Sequence, residues 1–145
     1  MIKNKITQYE RNINYHFPST LTIKNMEVIS EQTEVAVIKF VQSLGIRSNL
    51  TGYHLLIRAI TMSLRMPELL SSLTKKLYPA IASEYGVSVN SVEQNIRRAI
   101  DSAYEYDPER IGSIFYYKVS KPFVSEVLAI AVETIKYGSN VEKCN

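Results

Sequence analysis

Four polar residues, Asn90, Glu93, Gln94 and Arg97, recur at i, i+3, i+4 and i+7. On a helix that spacing gathers them on one face. They carry amide, carboxylate and guanidinium groups, which can read base edges in the major groove of DNA. An arginine donates two hydrogen bonds to O6 and N7 of guanine, a carboxylate accepts from the cytosine amino group, and Asn or Gln pairs with adenine. Lys75, Lys76 and Arg98 are candidate phosphate contacts, joined by Ser88 and Ser91 at the start of the same helix; such contacts position a protein without reading sequence. The plain alternative is that Glu93 and Arg97 form an ordinary i,i+4 surface ion pair.

Other chemistry finds little support. His16 and His54 stand far apart, and neither lies near a cysteine or carboxylate at metal-ligand spacing. The 5 glycines do not cluster into a phosphate loop. Cys144 has no evident activating base nearby in sequence. The expectation is therefore a non-enzyme with no cofactor and no metal.

The polar face needs a scaffold. Val92, Ile96, Ala99, Ile100 and Ala103 share a second face of the same segment, residues 89–104. Ser88 is the favoured N-cap and Asn90 its rival. Gly86 supplies a sharp turn after an apolar segment containing Ile81, Ala82 and Tyr85. Helix, tight turn and amphipathic helix together form a helix-turn-helix.

Upstream, residues 33–44 carry an apolar stripe, Val35, Ile38, Val41 and Leu44, stopped by Gly45. Residues 51–65 form a helix with Leu56, Ile60 and Leu64 on one face and Leu55 and Met62 beside them, ended by Met66-Pro67. Residues 68–85 read as helix with a kink or a fresh start near Leu77, because Pro79 lacks an N–H. Asp107-Pro108 opens a short helix to about residue 115. A last helix covers residues 125–137, with Val127, Leu128, Ile130, Ala131 and Ile135 inward and Gly138 as its stop. The fold class is all-α, about six helices around a central helix-turn-helix, without a wing. Residues 1–32 are an arm or linker, in which a short helix ended by Pro18 and a strand near residues 20–29 are weak patterns; residues 33–138 are the helical domain; residues 139–145 are a tail.

The 145 residues, 46% of them hydrophobic, suit one domain with a sizeable core. Net charge is only +3, so any nucleic-acid footprint must be local rather than a broad basic field. One cysteine excludes a disulfide framework within the chain and fits a reducing compartment. No apolar run reaches the ~20 residues of a membrane span, and the N-terminus lacks a signal-peptide core. The expected location is cytoplasmic and nucleoid-associated.

Five stretches carry a more specific likeness: G-Y-H-L-L-I-R-A-I, L-L-S-S-L-T-K-K-L-Y-P-A-I-A, V-E-Q-N-I-R-R-A-I-D, I-F-Y-Y-K-V-S and K-P-F-V-S-E-V-L-A-I. In order and nearly in spacing, residues 33–137 resemble the C-terminal DNA-binding effector domain of the stage zero sporulation protein A family. These are response regulators of endospore formation. The resemblance implies promoter binding as a tandem homodimer, with regulation of transcription. It places Glu93 and Arg97 at base-reading positions and Ile96, Ala99 and Ile100 on the core face. It also implies a contact with the sigma subunit of RNA polymerase through Phe115 and Val119, although Phe115 reads equally well as a core aromatic.

The sequence departs from the family pattern at several places. Ser91 and Gln94 stand where the family's helix usually carries arginines, Arg98 stands at a histidine position, and Gly112 replaces a serine. No aspartate precedes Asp101, so residues 1–32 hold no phosphoacceptor cluster. The alternative reading is a protein-interaction module that dimerises with or antagonises a full-length regulator or RNA polymerase.

Overall fold

Ser30 opens the first helix. Its Oγ accepts the Thr33 N–H at 3.2 Å, and Glu31 and Glu34 put carboxylates in the electropositive first turn. Helix α1 therefore spans Glu31–Ser43, two residues earlier than the apolar periodicity implies. A computed structural model describes residues 29–115 and 120–144, with side chains up to residue 138. The expected helix and strand of the N-terminal arm fall almost wholly outside the described residues, as does Val119.

The buried face of α1 is Val37, Phe40, Val41 and Leu44. Only the last two belong to the stripe expected from sequence, and Val35 is 42% exposed. Both sets fit helical spacing, but the observed one includes Phe40, the bulkiest side chain of the helix. Gly45 takes a positive φ of 83° and ends the helix as expected.

Helix α2, Thr51–Arg65, is the centre of the fold. Leu55, Leu56, Ala59, Ile60, Met62 and Leu64 are all buried. Its buried hydroxyls fold back on their own helix: Thr61 Oγ1 donates to the Ile57 carbonyl and Ser63 Oγ to that of Ala59, each at 2.8 Å.

Pro67 then begins a short 3₁₀ turn, Pro67–Ser71, followed by a wide π-type turn, Leu73–Leu77. There the Leu77 N–H reaches back to Ser72 O at 3.2 Å and the Tyr78 N–H to Leu73 O. The widened turn precedes Pro79 and accommodates its ring and its missing N–H. Helix α3 starts afresh at Tyr78–Tyr85, the second of the two outcomes the sequence allows.

Helix α4, Val89–Tyr106, buries the expected five residues: Val92, Ile96, Ala99, Ile100 and Ala103. It packs most extensively on α2 and next on α3. Helix α5 is shorter than expected, Pro108–Gly112, with Asp107 Oδ1 accepting the Arg110 N–H at 3.2 Å. Helix α6, Val124–Cys144, continues past Gly138. A glycine costs an interior turn about 1 kcal/mol, which weakens a helix without ending it. Six α-helices and no strand occur among the described residues, so the architecture is all-α. None of these helices is long and apolar enough to cross a membrane.

Candidate nucleic-acid interface

The turn between α3 and α4 is built from three local features. Gly86 caps α3 in the left-handed region, φ 66° and ψ 36°. The Val87 N–H bonds to Ala82 O at 3.0 Å, closing the end of α3. Ser88, extended in backbone, caps α4 by accepting the Ser91 N–H at 3.0 Å. Ser88 rather than Asn90 is thus the cap, which leaves the Asn90 side chain exposed on the outer face.

Two contacts from α2 fix where this motif sits. At Gly52, a Cβ would lie 2.1 Å from the Asn95 carbonyl oxygen and 2.7 Å from Ala99 Cβ. The backbone of α4 therefore rests directly on the start of α2, at a distance that only glycine permits. At the other contact, Arg58 Nε donates to Glu84 Oε2 at 2.9 Å, with the two side chains 4% and 0% exposed. That buried pair ties α2 to α3. One central helix thus holds both helices of the motif.

With its apolar face covered, α4 presents Asn90, Gln94, Arg97 and Arg98 to solvent and Glu93 at half exposure. Arg97 and Glu93 are hydrogen-bonded as an i,i+4 ion pair on this face. An exposed pair of this kind is worth at most about 1 kcal/mol, so either group can exchange its partner for a base edge. Lys75 and Lys76 are exposed in the wide turn ahead of α3. Ser88 and Ser91 lie in the capping turn, where Asn95 Nδ2 donates to Ser91 O at 2.8 Å and to Ser91 Oγ at 3.2 Å.

Tyr78, at the start of α3, is buried and lies close enough to Glu93 and Arg97 to feel both charges. Burial first, then the Glu93 carboxylate, pushes its hydroxyl up to about 12, with Arg97 acting in the opposite sense. The phenol is therefore neutral at any physiological pH. It borders an open cleft of about 640 Å³ whose floor is the Glu93–Arg97–Asp101 stripe of α4.

A protein-family model described as "Sporulation initiation factor Spo0A C terminal" matches residues 37–135, about two-thirds of the chain. The chain belongs to this family. As a Spo0A C-terminal domain it is a DNA-binding effector domain of the kind that regulates transcription in sporulation. The match runs from within α1 into α6 and includes the whole helix-turn-helix.

Phe115, offered by the resemblance as a polymerase contact, is 8% exposed and packs with the core. That is its packing role. Val119 lies outside the described residues. Gly112, where the resemblance implies a serine, has open space around its missing Cβ, so a serine would fit there.

Sequence reasoning missed Gly52, Arg58, Glu84 and Tyr78 as elements that position the site. Arg58 left one trace, a charged residue between apolar Leu55, Leu56 and Ile57 on one side and Ala59 and Ile60 on the other. Gly52 left only a glycine near a helix start, which is also ordinary at a cap.

Proposed function

We propose that this domain reads duplex DNA by placing α4 in the major groove. Asn90, Glu93, Gln94 and Arg97 contact base edges, and Lys75, Lys76, Ser88, Ser91 and Arg98 contact phosphates. The chain acts as a homodimer on tandem sites in the nucleoid, touches the polymerase sigma subunit, and regulates transcription with no catalytic step. The observation that carries this reading is the division of α4 into a fully buried apolar face and an exposed polar face held by a glycine-tight contact with α2.

The test is fluorescence anisotropy with short duplexes, with and without the family's promoter element, at two salt concentrations. Specific binding with a steep fall in added salt is the expected result, because neutralised phosphates release counterions. Arg97→Ala abolishes sequence preference, and Lys75→Ala weakens all duplexes alike. If no duplex binds at low salt, the reading fails and a protein-interaction module takes its place.

A further inference from the structure

The cleft beside the recognition face has a second wall, formed by Lys121, Pro122 and Phe123 just ahead of α6. Glu93, Arg97 and Asp101 are successive i+4 positions of α4 along its floor. Lys121 Nζ lies 3.5 Å from Asp101 Oδ2 and 3.7 Å from Glu105 Oε1, and its side chain is 45% exposed. An ammonium group has three N–H donors. At these distances the carboxylates attract the ammonium by charge without engaging its N–H groups in short hydrogen bonds, so donors remain available on the open side.

We propose that Lys121 is a further phosphate contact, aimed by Asp101 and Glu105 at the DNA strand that borders the Glu93–Arg97 face. This rests on the DNA-reading proposal above. Three features pre-organise the lysine. Pro122 disfavours a helical backbone at the residue before it, and Lys121 stands in a bend outside any helix. The Phe123 N–H is bonded to Glu126 Oε1 at 3.0 Å, which anchors the end of that connector on α6. The two carboxylates hold the ammonium at the far end of the stripe that Arg97 occupies. Without it, Asp101 and Glu105 would meet the phosphates as bare like charges; with it, that end of α4 is partly neutralised. The distances to both carboxylates exceed a direct charge-assisted hydrogen bond, so the ammonium can turn to a phosphate without losing a strong partner.

The experiment is anisotropy of the full chain on one duplex across a salt series, for the wild type and for Lys121→Gln, Lys121→Arg and Arg97→Ala. A lost phosphate contact lowers the slope of log K against log salt by about 0.9. Lys121→Gln shows that drop and weakens specific and non-specific duplexes by the same factor, while Lys121→Arg retains the slope. A purely structural tie between α6 and α4 predicts instead a lower melting temperature with an unchanged slope, and that result overturns the inference. Wild-type binding with normal Arg97 dependence but no Lys121 effect sinks this inference alone. No binding by the wild type sinks the reading beneath it.

Discussion

Arg58 and Glu84 meet inside the protein, Nε to Oε2 at 2.9 Å, and join the central helix to the first helix of the DNA-binding motif. Neither charge has useful access to water. Removing one member strands the other in a low-dielectric interior, at a cost of about 3–5 kcal/mol. Arg58→Leu therefore lowers the free energy of urea unfolding by that order. The double variant Arg58→Leu/Glu84→Leu loses clearly less than the sum of the single variants, because no buried charge remains. Additive losses would mean that the pair is not coupled as its geometry implies.

Glycines test the packing at three graded positions. Gly112 has open space and no positive φ, so Gly112→Ala is neutral or stabilising by up to about 1 kcal/mol. Gly86 has space but φ 66°, so Gly86→Ala costs about 1–2 kcal/mol in backbone strain. Gly52→Ala drives a Cβ to 2.1 Å from a backbone oxygen that cannot swing aside. It costs the most, at the upper end of the 1–3 kcal/mol or more typical of overpacking. It also displaces α4 and weakens DNA binding beyond its effect on stability. Thermal melts of the three variants give the order; a Gly52→Ala protein as stable as Gly86→Ala would refute the close approach.

These results show which parts of the site were legible in the sequence. The register of α4 was, because Val92, Ile96, Ala99, Ile100 and Ala103 repeat in phase and Ser88 and Gly86 punctuate the turn. The inward phase of α1 was not, since Val35 and Ile38 compete with Val37 and Phe40 for the same periodicity. The Arg58–Glu84 pair was hidden for another reason. Its members lie on different helices, and side-chain rules that act within one helix say nothing about such pairs. Gly52 was hidden because a close approach is recorded as a missing side chain, which leaves no periodic mark. The end of α6 was not legible because a glycine permits a stop without imposing one.

Tyr78 gives the fold a dependence on alkaline pH. Its hydroxyl titrates at about 12 in the folded chain against an ordinary 10.0, so the folded state holds the phenolic proton more tightly than the unfolded state. The associated stabilisation is complete below pH 10 and is lost as pH rises through 12. Two units correspond to roughly 2–3 kcal/mol. Tyr78→Phe lacks this contribution, so the stability difference between wild type and variant narrows across that interval. Urea unfolding of both proteins at pH 8, 10 and 11 measures it, and a difference that stays constant would rule it out.

Positions 91 and 94, where the family resemblance implies arginines, make the sharpest test of how this domain meets DNA. Gln94 is exposed on the outer face of α4, so Gln94→Arg adds a cation without removing any hydrogen bond among the described residues, exchanging only the proposed base contact of the amide. It raises affinity for all duplexes about tenfold at low salt and steepens the salt slope by about one contact, with a melting temperature close to that of the wild type. Ser91 sits in the first turn of α4, where its Oγ accepts from Asn95 Nδ2 at 3.2 Å. Ser91→Arg gains similar affinity but gives up that bond, and it places a positive charge at the positive end of the helix dipole. Its stability falls by about 0.5–1.5 kcal/mol. Paired anisotropy and melting measurements separate the two effects. Equal affinities for both variants and the wild type would show that positions 91 and 94 do not face DNA in the bound complex.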